Sequence, residues 1–190
     1  MNETSAPEQS AKERILACSR KMFSENTFAQ VSLKDIASHA DVSVALIVKH
    51  FHNKTSLFEA TVDFTDSSAA LFAGPFATLG QTAVIETLTA PENAPYSMAR
   101  TITVTAGDPE SLSAIGRRIK SDLLMVLEGR ITREAPGASP APPLRAQQAL
   151  ALLIGLSVMR RFGDTDFAAY PQDTLVEHYG QVLQSILDGH

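Results

Sequence analysis

The chain has 190 residues, 44% apolar and 19% charged, with a formal net charge of −5 and a single cysteine, Cys18. That length suits one large domain or a small one joined to a larger one, and no run of 18 apolar residues suggests a membrane span. The start "MNETSAPEQSAKER" lacks the basic opening and apolar centre of a secretory signal, and a lone cysteine makes no internal disulfide, so a cytoplasmic protein is expected.

Helical periodicity begins with "AKERILACSRKMFSEN", where Ile15, Leu16, Cys18, Met22 and Phe23 recur at three- and four-residue steps and Cys18 reads as a small core residue. Asn26 and the β-prone "FAQVS" end that helix. Ser32, with Asp35 three residues on, resembles a capping box that opens the short helix "SLKDIASHA", with Leu33, Ile36 and Ala37 as its buried stripe. Asp41 and Val42 form a turn, and Ser43 caps "VALIVKHF", whose buried positions are Ile47 and Phe51. Asn53 caps a longer fourth helix, expected to run unbroken from about Lys54 to Phe72 and so to span two domains.

Helices are further expected over about 76–89, 96–106, 111–134, 143–162 and 171–188. Breaks fall at "APENAP", "GDP", "APGASPAPP" and "GDTDFAAYP". The β-branched "ARTITVTA" reads as a buried helix because a lone strand would find no partner. The expected fold class is therefore all-α, with about nine helices and a Pro/Ala-rich surface loop before residue 144.

Charge is unevenly spread. Between residues 10 and 60 the cations are Lys12, Arg14, Arg20, Lys21, Lys34, Lys49 and Lys54, against the acids Glu13, Glu25, Asp35, Asp41 and Glu59. The remainder is acidic. Only the part of a protein that touches nucleic acid needs to be basic.

Two short helices, a tight turn and a serine-capped second helix describe a helix-turn-helix. A recognition helix must bury one face and present its first turn to base edges. Ile47 and Phe51 supply the buried face, while Val44, Ala45 and Leu46 leave a slim first turn. Lys49, His50 and Lys54 stand at phosphate distance, and Ser32 and Ser43 cap helix ends whose free N–H groups suit phosphate. No carboxylate or cysteine completes a metal-ligand spacing around His39, His50 and His52, and no nucleophile–base pattern is visible, so no metal, cofactor or catalytic residue is expected.

The run "RILACSRKMFSENTFAQVSLKDIASHADVSVALIVKHFHNKTSLFEATVD", residues 14–63, resembles the TetR family of bacterial transcriptional regulators. Asp41 stands where the family usually has Gly, and Val48 where its recognition helix usually has Tyr. The segment "RTITVTAGDPESL", with "LLIGLSVMRRF" and a last helix, also resembles a ligand-domain type common among actinobacterial TetR-like regulators. The resemblance implies an all-α homodimer, with a three-helix DNA-binding domain over 8–56 and a larger effector-binding and dimerisation domain over 57–190. It implies a double-stranded, palindromic DNA operator, a small-molecule effector and no membrane partner.

The last two helices carry apolar stripes fit for an intersubunit four-helix bundle. Interface candidates are Leu152, Gly155, Leu156, Met159 and Phe162 on the first, and Leu175, Tyr179, Val182, Leu183 and Ile186 on the second. Arg160 and Arg161 read as solvated helix-end charges. Effector-pocket candidates are Phe72, Phe76, Leu79, Met98, Ile102, Leu123 and Leu127, which favour an apolar or neutral ligand. The competing reading is a helical enzyme or small-molecule carrier with a vestigial helix-turn-helix. Salt-dependent binding to DNA separates the two.

Overall fold

The structure, a computed structural model, describes residues 10–91, 108–137, 139–161 and 165–190. The expected helix over 96–106 lies outside them. All regular structure among the described residues is helical. The chain divides into two compact units, one within Met1–Val62 and Val104–Ile115, the other within Asp63–Thr103 and Gly116–His190.

In the first unit, α1 (Ala11–Glu25) opens with a full capping box between Ser10 and Glu13. Its buried row is Ile15, Ser19 and Phe23. The expected Cys18 is only half-buried, because steps of four place Ser19 inward instead. Its hydroxyl donates to the Ile15 carbonyl at 2.7 Å, which makes burial of a polar group tolerable. Helices α2 (Leu33–His39), α3 (Val44–Phe51) and α4 (Lys54–Thr61) follow. Their caps are the serines and the asparagine expected: Ser32 Oγ accepts from Asp35 N, Ser43 Oγ from Leu46 N, and Asn53 Oδ1 from Ser56 N. Asp35 does not complete a box, for its shorter carboxylate takes the Ser32 hydroxyl rather than the backbone N–H.

These helices close over Ile15, Ile36, Ile47 and Leu57, all fully buried. Phe23, Phe28 and Phe58 form an aromatic cluster with centroids 5.0 to 5.9 Å apart. The first turns of α7 (Pro109–Ile119) also belong to this unit through Ile115. There Thr55 donates to the Glu110 carboxylate at 2.7 Å.

The fourth helix is not continuous. It stops at Thr61, Val62 turns extended, and α5 (Thr65–Leu71) starts afresh. The Phe64 N–H is drawn to Asp122 Oδ2 at 3.2 Å, and the Thr65 N–H to Asp63 Oδ1 at 2.9 Å. Both amides would otherwise have continued the helix, and β-branched Thr61 and Val62 resist it weakly.

In the second unit a 3₁₀ turn (Phe76–Thr78) leads into α6 (Leu79–Thr89). Helix α7 runs through a π turn (Lys120–Leu124) into α8 (Met125–Glu134) where one unbroken helix over 111–134 was expected. Then come α9 (Pro142–Arg161), the short α10 (Thr165–Ala168) and α11 (Gln172–Asp188). Helix α6 packs against α5, α9 and above all α11. Three arginines hold the carbonyl ends of helices, where orphan acceptors collect. Fully buried Arg145 donates to Leu187 O at 2.7 Å and Ala135 O at 2.6 Å. Arg130 donates to Phe72 O, and Arg160 to Leu88 O and Ala90 O. Arg160 is thus a clamp on the end of α6, not a solvated charge.

Candidate nucleic-acid interface

The turn between α2 and α3 is closed by Val42 N donating to Ala37 O at 3.0 Å, with Asp41 at φ 51°. Aspartate tolerates this left-handed conformation better than most residues, which is how the turn forms without its usual glycine. Ile47 and Phe51 are buried, so α3 is anchored by one row. Ser43, Ala45, Lys49 and His50 are exposed, as are Val44 and Val48 at 39% and 42%. Leu46 is half-buried, so the expected slim turn is presented chiefly by exposed Val44 and Ala45. Ser32 is half-buried at its cap.

Between α3 and α4, His52 sits at φ 67° and ψ −52°, and Asn53 N donates to Phe51 O at 2.8 Å. This is a γ-turn of the strained kind. It reverses the chain in one residue and sets Lys54 at the head of α4. The Lys54 ammonium lies 4.2 Å from the centroid of the Phe28 ring. Burial pushes its pKa below the ordinary lysine value, while the charge of Asp108 pulls the other way. Asp108 is itself held below the usual carboxylate value, first by hydrogen bonding from Ser111. Lys49 and His50 are exposed on α3, the His50 ring 6.2 Å from that of Phe51 between centroids. His39 Nδ1 lies 2.8 Å from Asp35 O. Among the described residues, no group of three or more His, Cys, Asp or Glu is placed to hold a metal ion, and no single helix is long and apolar enough to cross a membrane.

The second unit holds a cavity of about 300 Å³. Its walls are Phe64, Leu71, Leu123 and Leu153, with Asp66, Ser67, Glu86, Thr87, Ser157 and Arg161 adding polar atoms. The helix break at Val62 is what turns Phe64 into this wall. Of the expected pocket residues that are described, only Leu123 lines it. Phe72, Leu79 and Leu127 are buried in solid core. Phe76 is half-buried, with the Arg130 guanidinium 5.8 Å from its ring centroid. Met98 and Ile102 lie outside the described residues. Arg161, expected in solvent, donates to Ser157 O and Oγ beside the cavity.

The stripes on α9 and α11 divide. Leu156 and Leu183 are buried within the chain's own core, at 4% and 1% exposure, and so are not available to a second copy. Gly155, Met159 and Val182 are exposed, and Leu152, Leu175, Tyr179 and Ile186 are half-buried. Phe162 lies outside the described residues. The inward row of α11 is Val176, Gly180, Leu183 and Leu187. Leu183 belongs to it because it falls three residues from Gly180 and four from Leu187.

The family profile described as "Bacterial regulatory proteins, tetR family" matches residues 15–61. That described as "Tetracyclin repressor-like, C-terminal domain" matches residues 77–187. No curated protein sequence matches. Among solved structures the chain is similar to Salmonella enterica GusR, with a TM-score of 0.68, 18% identity, and coverage of 97% of this chain and 99% of that one. A TetR-family regulator from Streptomyces coelicolor gives a TM-score of 0.57 at 23% identity, covering 98% and 99%. NalD of Pseudomonas aeruginosa, a secondary repressor of the MexAB-OprM multidrug efflux pump, gives 0.60 at 20% identity, covering 91% and 94%. At these identities the likeness is one of fold.

Proposed function

The chain belongs to the TetR family of bacterial regulatory proteins, DNA-binding regulators of transcription, and on that premise we propose that it is a repressor released from its operator by a small molecule. The observation that carries this reading is the pairing of an open recognition helix with a separate cavity. Helix α3 presents Val44, Ala45, Lys49 and His50 outward from a capped first turn, and about 300 Å³ of largely apolar space lies in the other unit. Ser32, Ser43, Lys49, His50 and Lys54 serve the phosphates in this reading, with residues 8–56 as the DNA-binding domain and 57–190 as the effector and dimer domain. The effector is small and mostly apolar, since Phe64, Leu71, Leu123 and Leu153 make the walls.

The active species in this reading is a homodimer. The exposed remainder of the stripes on α9 and α11, Gly155, Met159 and Val182 with half-buried Leu152, Leu175, Tyr179 and Ile186, supports it. Two recognition helices must then enter successive major grooves, roughly 34–36 Å apart, on a palindromic site. An effector opposes this by binding more tightly to a state with the wrong spacing, so the coupling is reciprocal. Calorimetry of a derepressing ligand tests it. Saturating operator DNA should weaken effector binding by the factor by which effector weakens DNA binding. Equal effector affinity with and without operator rules out the mechanism. Turnover of a small molecule with no DNA affinity would instead support the enzyme reading.

A further inference from the structure

Helix α3 is poor in the side chains that pair with bases in two-point fashion, with Lys49 alone of that kind. Guanine is read most often by Arg or Lys and adenine by Asn or Gln, yet Val44–Phe51 contains no Arg, Asn or Gln, and its one Lys is Lys49. What it does expose is apolar. Val44 and Val48 are 39% and 42% accessible, four residues apart on one row, with exposed Ala45 beside them. Valine is a mediocre helix former. Two of them in water on an eight-residue helix serve neither propensity nor core. The only apolar group on a base edge in the major groove is the C5 methyl of thymine.

We propose that Val44, Ala45 and Val48 form an apolar row that reads thymine methyl groups, so that each operator half-site carries neighbouring T·A pairs at its core. The proposal rests on the DNA-binding reading of α3. The spacing suits it: four residues of helix rise about 6 Å, close to two base-pair steps of about 3.4 Å. The surroundings suit DNA rather than an apolar protein partner. Exposed Lys49 and His50 flank the row, and Ser43 caps the helix end that would enter the groove. Val48 thereby takes a base-facing role at the position where a tyrosine hydroxyl would have met phosphate. Leu46 is half-buried and is left out of the row.

The test uses the purified full-length protein and a pool of randomised DNA duplexes, from which bound sites are selected and sequenced. The selected duplex is then rebuilt with deoxyuridine at each thymine in turn, which removes a methyl and nothing else. At the positions read by the row, each replacement should weaken binding about fourfold, and replacement in both half-sites about fifteenfold. Val44→Ala or Val48→Ala should abolish that sensitivity at one position each, whereas Lys49→Ala should weaken binding and leave the sensitivity unchanged. Both valines are exposed, so these variants remain folded, which circular dichroism checks. Selected sites with G·C pairs at the core, or an all-deoxyuridine duplex bound as well as the thymine form, overturn the methyl reading while DNA binding stands. A full set of methyl-sensitive positions, with none lost in either valine variant, overturns the assignment to this row, as does capture of a protein partner on α3 without selection of any DNA site. Absence of salt-dependent binding to every duplex sinks the DNA-binding reading itself.

Discussion

Helices α6 and α11 cross at a point where neither has a side chain, and Gly80→Ala should force them apart. A β-carbon placed on Gly80 would stand 2.4 Å from Gly180 O, 2.6 Å from Gln184 N and 3.0 Å from Gln184 Cα. All three atoms are backbone and belong to one helix, so no rotamer change relieves the clash. The helices must separate by about 1 Å, and a gap of that size forfeits a quarter to a half of the dispersion attraction across it. Overpacking of this kind costs about 1–3 kcal/mol. The bond from Gly80 N to Gln184 Oε1, 2.9 Å long, is stretched as well, which adds about 1 kcal/mol. Against this, alanine favours the helix by about 1 kcal/mol. The net loss is about 2 kcal/mol, which for a chain of this length lowers Tm by about 4–8 °C. Gly180→Ala should cost less, since its nearest neighbour would be Gln81 Cα at 3.1 Å. Calorimetric melting of the two variants and the parent measures the order. A Gly80→Ala protein as stable as the parent would refute the close crossing. Because α6 also carries Glu86 and Thr87 to the cavity, the crossing holds one of its walls in place.

Three further outcomes are expected. Gly155 sits inside α9 with nothing within 4 Å of a β-carbon, so Gly155→Ala should keep the protomer's helical content and weaken self-association in sedimentation. An unchanged dimer with a higher Tm would put Gly155 outside the interface. Lys49→Ala and Lys54→Ala should each weaken binding to all duplexes and lower the slope of log K against log salt by about 1 per lost phosphate contact. An unchanged slope for Lys54→Ala would mean that Phe28 and Asp108 keep its ammonium from the DNA. The Asp108 carboxylate caps α7, and its pKa is lowered by the Ser111 hydrogen bonds. Its contribution is therefore full above the ordinary carboxylate value and lost as pH falls through the folded one. Asp108→Asn, which keeps a capping oxygen but does not titrate, should flatten the fall of Tm as pH drops below the ordinary carboxylate value; an acid limb identical to the parent's would exclude Asp108 as a source of it.

What could be read from the sequence was local. Ser32, Ser43 and Asn53 cap helices through bonds that reach three residues, and the turn at Asp41 closes over five, so the helix-turn-helix is written in adjacent positions. What could not be read depends on partners far along the chain. The break at Val62 needs Asp122 to take the Phe64 N–H from 58 residues away. Without that bond, "KTSLFEATVDFTDSSAALFA" has the periodicity of one helix. The cavity inherits the same difficulty, for Phe64 is a wall only because the helix breaks there. Its other walls come from α5, α6, the π turn and α9, and among the described lining residues Leu123 alone was singled out. Hydropathy also cannot say which of two apolar rows on a helix meets the chain's own core. Leu156 and Leu183 read like Met159 and Val182 until Gly80 and Gly180, 100 residues apart, are seen to bring α6 onto α11. That contact takes one row of α11 inward and leaves Val182 on the outside, where a second copy can meet it.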